Sequence, residues 1–392
     1  MQVSRRIAGL TGGGSDGWDV FYRARRMAGA GAGGAVTELT IGEHDLGTDR
    51  AILDAMHTAA LAGHVGYSMV RGNLDLRAAV AARVAQRTGV PTTPDNVLIC
   101  PGGQAGLFAA HHAVCDEGDT ALFIDPYYAT YPGTIRAVGA RAKAVAARPE
   151  RGFQPDPGDI AAHGAGAKSL LVNSPNNPTG VVYDRATMDA IAEVARAHDL
   201  WLISDEVYET MLWHGEHLSP RALPGMETRT LVIGSLSKSH AMTGSRLGWV
   251  VGPQEAISHM SNLATHTTYG IPGFVQQAGL FALGLGAGFE AAIAAPFRRR
   301  RDLVLAMLGG QNTVRAIPSG GGMFVMLDIR ATGLSGVDFA DRLLDEHRVA
   351  VMPGESFGQA AAGHVRVALT VDDAALATAL GRLIELATKL AA

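Results

Sequence analysis

A lysine, several hydroxyls and an arginine crowd into one stretch of this chain, Ser235-Leu236-Ser237-Lys238-Ser239-His240-Ala241-Met242-Thr243-Gly244-Ser245-Arg246. An apolar run, Thr230-Leu231-Val232-Ile233-Gly234, feeds into it. Lys238 therefore stands at the end of an expected buried strand. A lysine in apolar surroundings loses its proton more readily and can attack a carbonyl. Ser235, Ser237 and Arg246 suit a phosphate dianion. A lone lysine after a strand is ordinarily a surface residue, so the rest of the chain has to decide.

A second segment, Ser204-Asp205-Glu206-Val207-Tyr208, closes the apolar run Leu200-Trp201-Leu202-Ile203. An aspartate at the C-terminal end of a parallel strand points into the crevice where α/β sheets bind ligands. Facing a pyridine nitrogen, its carboxylate would keep that nitrogen protonated. The bland reading of Asp205 is a helix N-cap. A third segment, Asn173-Ser174-Pro175-Asn176-Asn177-Pro178-Thr179-Gly180, is a turn by composition. Its functional reading is an asparagine amide aimed from a rigid turn at a phenolic oxygen. A carbonyl-binding lysine beside a phosphate cup is what pyridoxal phosphate (PLP) requires.

The elements that must position these residues are legible as apolar runs. Strands are expected at 97–100, 121–125, 142–146, 169–173, 200–205, 231–235 and 247–252. Several are continuously apolar, as in strands covered on both faces. Helical spacing over 184–198, with Asp184 as N-cap, supports strand–helix alternation and a mostly parallel sheet. After Gly270 the pattern changes. Helices are expected at 274–285 and 291–308, with a break at Gly286-Ala287-Gly288, and two amphipathic helices at 336–347 and 373–390.

Bulk properties narrow the class. A chain of 392 residues exceeds one simple core, so two domains are expected. Apolar content of 47% and charged content of 18% fit a well-buried globular enzyme. A net charge of −4 argues against nucleic acid or an anionic membrane as the main partner. Cys100 and Cys115 form no disulfide framework, and a cytoplasmic location is expected. No run reaches membrane-spanning length, and Met1-Gln2-Val3-Ser4-Arg5-Arg6 lacks a signal peptide's apolar stretch.

Other signals carry less. Gly29-Ala30-Gly31-Ala32-Gly33-Gly34 fits a dinucleotide fingerprint literally, but it follows a helix-like segment rather than a strand, and a loop is expected. His111, His112 and Cys115 do not make a metal site, because adjacent helical residues face different ways. No metal is expected. Arg298-Arg299-Arg300-Arg301 reads as a solvated helix face.

The motifs, in this order, resemble the fold-type I, PLP-dependent aminotransferases of class I and II nearly end to end. Supporting matches are Leu39-Thr40-Ile41-Gly42-Glu43-His44-Asp45, Tyr67-Ser68-Met69-Val70-Arg71-Gly72, Pro101-Gly102-Gly103-Gln104 and Pro126-Tyr127-Tyr128. Gly321-Gly322-Met323-Phe324, Pro353-Gly354-Glu355-Ser356-Phe357-Gly358 and Val365-Arg366-Val367-Ala368 complete the set. Within that family, stretches such as Gly215-Glu216-His217-Leu218-Ser219-Pro220 and Phe339-Ala340-Asp341-Arg342-Leu343-Leu344 resemble the arginine–pyruvate transaminases.

The resemblance implies an α/β fold: a mostly parallel seven-stranded sheet with helices on both faces, plus a smaller α+β domain. Residues 49–290 would form the large PLP-binding domain, and 1–48 with 291–392 the small one. It implies that Lys238 binds PLP and is the catalytic base, and that Asp205 holds the pyridine nitrogen. Tyr208 and Asn177 would bond the phenolic oxygen, and Tyr128 would stack on the ring. Gly103, Gln104, Ser235, Ser237 and Arg246 would hold the phosphate, with Tyr67 donated by the other subunit of a homodimer. Arg366 would clamp the substrate α-carboxylate, in the loop company of Gly42 and Asn177. The expected reaction is ping-pong transfer of an amino group from an L-amino acid, best L-arginine, to a 2-oxo acid, best pyruvate. The alternatives are an aspartate- or broad-specificity aminotransferase using 2-oxoglutarate, or a PLP-dependent C–S lyase. His44 stands where the family loop usually has proline. No second arginine lies in Ala264-Thr265-His266-Thr267-Thr268-Tyr269-Gly270, which disfavours a dicarboxylic donor. Glu43 is a candidate partner for a guanidinium.

Overall fold

A computed structural model describes residues 1–15, 17–29 and 35–391. Most of the glycine-rich run, 30–34, lies outside the described residues.

Strand β1 (Thr37–Leu39) precedes a set of seven: β2 (Val97–Cys100), β3 (Thr120–Asp125), β4 (Arg141–Ala146), β5 (Ala167–Asn173), β6 (Trp201–Asp205), β7 (Thr230–Ser235) and β8 (Gly248–Val251). These seven form one sheet in the order β2-β8-β7-β6-β5-β3-β4. β8 runs antiparallel to both of its neighbours, and the other pairs are parallel. Alternate residues of the central strands serve opposite faces, as strand geometry requires. Leu170, Val172 and Leu202 pack with Met188 and Ile191 of the helix Arg185–Ala197. Leu171, Ile203 and Leu231 pack on the other face with Leu107 of the helix Gly102–Val114 and Ile257 of the helix Gln254–Thr265. That double cover explains the continuous apolar runs. The edge strand β4 is mostly solvent-facing and interrupts that pattern. Asp184 caps its helix by accepting from the Thr187 N–H at 2.7 Å.

A second sheet joins β1 to β9 (Arg315–Ala316), β10 (Phe324–Asp328), β11 (Val349–Pro353) and β12 (His364–Ala368), in the order β1-β11-β12-β10-β9. β1 pairs parallel with β11, and the rest are antiparallel. Its core combines Val351, Val365 and Val367 with Leu343 and Leu383 from the helices Gly336–His347 and Asp373–Ala391. Val20 and Ala24 of the helix Asp19–Gly29 join the same core. The N-terminal segment thus packs with the C-terminal part. We keep the division at 48/49 and 290/291 as a proposal; the second boundary falls inside the helix Gly286–Leu308.

The helices Gly273–Gly284 and Gly286–Leu308 meet at 91°, so the turn falls at Leu285, just ahead of the expected glycine break. The arginine run corrects one expectation. Arg298 and Arg299 face solvent, whereas Arg300 and Arg301 are buried. Arg300 bonds both oxygens of Asp45 at 3.0 and 2.5 Å and the Leu369 carbonyl at 3.0 Å. It ties the 39–45 loop to the small sheet. No single described helix is long and apolar enough to cross a membrane.

Candidate active site

The C-terminal ends of β5, β6 and β7 open together into a cavity of about 530 Å³. Lys238, Asp205, Tyr208, Asn177, Tyr128, Gly103, Gln104, Ser235, Ser237, Arg246, Arg366 and Gly42 all line it. Tyr67 does not. It stands 94% exposed, edge-on to Tyr269 with 5.4 Å between ring centroids.

Lys238 follows β7 on the short helix Leu236–Ser239, which Ser235 caps by accepting from the Ser237 N–H at 3.0 Å. Its ammonium donates to the Gly42 carbonyl. Burial pushes the amine's pKa down to about 8, with Arg366 and Arg246 adding to the effect and Glu43 opposing it. Asp205 ends β6. It accepts from the Tyr131 hydroxyl at 2.7 Å and the Val207 N–H at 3.3 Å. Burial pushes its carboxyl up to about 6 against those two donors. Residues 207–210 form a turn and not a helix, so Asp205 is no helix N-cap; its Oδ1 instead steadies that turn through the Val207 N–H.

The 173–180 turn is held by its own asparagines. The Asn173 side chain accepts from the Asn177 N–H at 2.7 Å and donates to the Asp205 carbonyl at 2.9 Å. Asn176 accepts from the Thr179 hydroxyl at 2.7 Å. The Asn177 amide is thereby aimed at Arg366, whose Nη1 donates to its oxygen at 2.9 Å, and it hydrogen-bonds Tyr208. Burial raises the Tyr208 hydroxyl well above its ordinary range.

Arg366, on β12, is 1% exposed. Its guanidinium lies between two aromatic faces, 4.2 Å from the Phe324 ring centre and 4.3 Å from that of Phe357. Its Nη2 donates to the Thr40 carbonyl. Burial lowers its pKa to about 9, so an anion that reached it would be strongly favoured. Gly42 approaches this group closely: a Cβ there would lie 2.4 Å from Phe324 Cζ.

At the other end of the cavity the helix Gly102–Val114 presents its N-terminus, with Arg246 alongside. Arg246 adopts a left-handed backbone, φ 51°, and donates to the Thr243 carbonyl at 2.9 Å. A Cβ on Gly102 would fall 2.3 Å from Arg246 Nη2, and one on Gly248 2.9 Å from the Gly103 nitrogen. Glycine keeps this cradle open. Helix N-terminal N–H groups, an arginine and the Ser235 and Ser237 hydroxyls have the chemistry to receive a phosphate. The Gln104 side chain is turned away, held by Thr130 at 2.8 Å and Thr134 at 2.7 Å.

These residues fit PLP. A half-buried lysine with a depressed pKa suits its aldehyde. A buried carboxylate that no described cationic side chain hydrogen-bonds suits its pyridine nitrogen, and the glycine cradle suits its phosphate.

Sequence reasoning missed Tyr131, 74 positions from Asp205, and the pairing of Phe324 with Phe357 around Arg366. It also missed Trp18, Phe21 and Tyr22, which bring an aromatic wall from the N-terminal segment. His44 is half-buried, edge-on to Phe297 at 5.1 Å, and does not line the cavity. Burial and the nearby Lys238 charge push its pKa down to about 4.

Comparison with known proteins agrees with the geometry. Residues 35–383 match the family model for aminotransferase class I and II. The chain is 42% identical over 391 residues to an arginine–pyruvate transaminase of Pseudomonas aeruginosa, covering 100% of this chain and 99% of that one. It is 37% identical over 349 residues to an aspartate/prephenate aminotransferase of Thermus thermophilus, covering 88% and 89%. The solved structure of Thermus thermophilus aspartate aminotransferase with maleate superposes with a TM-score of 0.90 at 34% identity, covering 98% of this chain and 100% of that one. A seven-stranded sheet whose strand ends gather a lysine, an aspartate and a phosphate cradle, matched along nearly the whole chain, places this protein in the PLP-dependent class I and II aminotransferases.

Proposed function

We propose that this aminotransferase takes its amino group from L-arginine and passes it to pyruvate. The observation that carries the donor choice is the charge inventory of the cavity. Arg246 belongs to the phosphate cradle, Arg366 to an α-carboxylate, Lys238 to the cofactor and Asp205 to its ring nitrogen. Among the described lining residues the remaining charge is Glu43, held by the Thr243 hydroxyl at 2.9 Å. Among the described residues no further cation lines the cavity to receive a second carboxylate. A carboxylate beside the aromatic wall of Trp18, Phe21 and Tyr22 suits a guanidinium, which pairs with the first and stacks on the second. The whole-length likeness to an arginine–pyruvate transaminase supports the same choice.

In this reading PLP, once bound, supplies the electron sink that lets a Cα–H bond ionise. The chain's own residues do the rest. Arg366 grips the α-carboxylate, with Asn177 and the Thr40 carbonyl fixing its fork. Lys238 Nζ takes the Cα proton, a task suited to an amine near pKa 8. Asp205 keeps the ring nitrogen protonated, with Tyr131 orienting it. Tyr208 and Asn177 hold the phenolic oxygen, and Tyr128 covers the ring. Tyr67 reaches the phosphate of a second subunit. The exposed apolar side chains Leu61, Val65, Tyr67, Met69 and Tyr269 support that homodimer.

The test is a half-reaction on purified, PLP-loaded protein. L-arginine and L-aspartate are added separately, and loss of the cofactor's long-wavelength absorption band is followed. Arginine should convert the enzyme at least about tenfold faster than aspartate. Glu43→Gln should cut kcat/KM for arginine about tenfold and leave aspartate little changed. Faster conversion by aspartate would instead favour the aspartate/prephenate reading, and loss of a β- or γ-substituent would favour lyase chemistry.

A further inference from the structure

The guanidinium of Arg366, hydrogen-bonded to Asn177 and the Thr40 carbonyl, also lies against two aromatic rings that are anchored differently. Phe324 sits within β10, paired across the sheet to Ala368. Phe357 ends a short 3₁₀ turn, Gly354–Phe357, outside any strand. Its ring is fully buried and its position depends on what holds that turn. On its own side Glu355 of the turn accepts from the Gly336 and Gly363 N–H groups at 2.9 and 3.0 Å, and three further backbone groups meet the C-terminal end of β3. The Phe357 carbonyl accepts from the Tyr127 N–H at 2.9 Å. The Gln359 and Ala360 N–H groups donate to Asp125 Oδ2 at 3.1 and 3.3 Å. Asp125 is 6% exposed, and its Oδ1 has no hydrogen-bond partner.

The fit at this corner is tight. Gly358 has φ +117°, and a Cβ there would lie 2.0 Å from Asp125 Oδ1. No other residue allows the backbone to come so close to the carboxylate. Asp125 belongs to the large sheet and residues 357–360 to the small-sheet side, so the carboxylate latches one to the other. Burying a carboxylate against backbone N–H groups is costly unless something is gained by it. Here the gain is a ring held 4.3 Å from the guanidinium that would bind every substrate.

We infer that Asp125 is a positioning residue for substrate carboxylate binding, acting through the 357–360 turn and the Phe357 ring on Arg366. It does not touch the substrate itself. The inference rests on Arg366 as the α-carboxylate clamp. Donor and acceptor both carry an α-carboxylate, so the latch has a signature: it weakens both substrates by a common factor.

The experiment uses the PLP-loaded full-length enzyme and reads KM for the amino donor, KM for the oxo acid, kcat, cofactor absorbance and melting temperature. Asp125→Ala should raise both KM values about tenfold, in line with loss of a desolvated cation–π contact. Cofactor absorbance should stay unchanged, and kcat should change less than about threefold. Asp125→Asn, which keeps an accepting oxygen, should recover most of the loss. Gly358→Ala breaks the same latch from the other side and should give the same paired rise; it serves where Asp125→Ala fails to fold. Unchanged KM values in the folded variants would overturn the inference, as would a fall in kcat and cofactor content with KM constant. Arg366→Ala separates the two readings. If it leaves both KM values unchanged, the clamp is wrong. If it raises them while Asp125→Ala does not, the latch alone is wrong.

Discussion

Asp205 is buried and Lys238 half-buried, and desolvation moves their pKa values toward each other, to about 6 and about 8. For Asp205 the shift has a cost. Its folded value lies above the ordinary 3.8, so between those two pH values the folded protein binds more protons than the unfolded chain. Stability of the cofactor-free enzyme therefore falls as pH climbs through that window, and stays lower above it. About two pK units correspond to a few kcal/mol, on the order of 3. Cofactor-free Asp205→Asn should accordingly melt higher than cofactor-free wild type at pH 7.5. The gap should close as pH falls toward 4. Thermal melts across that range check it, and a gap that ignores pH would remove burial as its cause. The same substitution should cripple transamination, because a neutral amide cannot keep the ring nitrogen protonated.

The 39–45 loop shows how an element can be specified by contacts far from it in sequence. Arg300 holds Asp45, the Thr370 hydroxyl bonds the Ile41 carbonyl at 3.1 Å, and Phe324 packs where Gly42 has no side chain. Gly42→Ala must displace the Phe324 ring or the loop, and either shift disturbs Arg366. It should lower kcat/KM for the donor by about ten- to a hundredfold while far-UV circular dichroism stays unchanged. Unaltered kinetics would show that the loop yields without cost.

Six of the seven large-sheet strands were legible because double cover leaves continuous apolar runs; β4, a mostly exposed edge strand, lacks that cause. Their ends told where the chemistry would lie, since the turns after them carry the polar residues. What the sequence hid was what lies across the cavity. Tyr131 looks like any tyrosine beside a proline until β3 and β6 bring it to Asp205. Arg300 looks like part of a solvated run because its neighbours Arg298 and Arg299 are exposed and its partners Asp45 and Leu369 are distant in sequence. Trp18, Phe21 and Tyr22 show a helix's apolar spacing, and only the fold turns that side toward the site.

At the scale of the whole molecule, Tyr67 tests the proposed dimer. It does not line its own chain's cavity and lies exposed against Tyr269. If each site takes Lys238 from one subunit and Tyr67 from the other, two damaged proteins can repair each other. Lys238→Ala alone should be inactive, and Tyr67→Ala should be weak through poor phosphate binding. Mixed and allowed to exchange subunits, they should regain about a quarter of wild-type activity, since half the dimers are hybrids with one intact site of two. No recovery after demonstrated exchange would mean that the sites are not shared.

The aromatic wall of the cavity is contributed by one short N-terminal stretch, whereas the lysine, aspartate and both arginines come from the sheets and the loops that follow them. That stretch is fastened independently: Arg23 bonds Asp341 at 2.8 Å and also pairs with Asp345, and Val20 and Ala24 enter the small-sheet core. In the proposed reading, the stacking half of donor recognition is therefore written apart from the reaction chemistry, while its charged half, Glu43, sits in the 39–45 loop. A descendant could trade one amino acid for another by rewriting its first few turns, with the catalytic inheritance untouched.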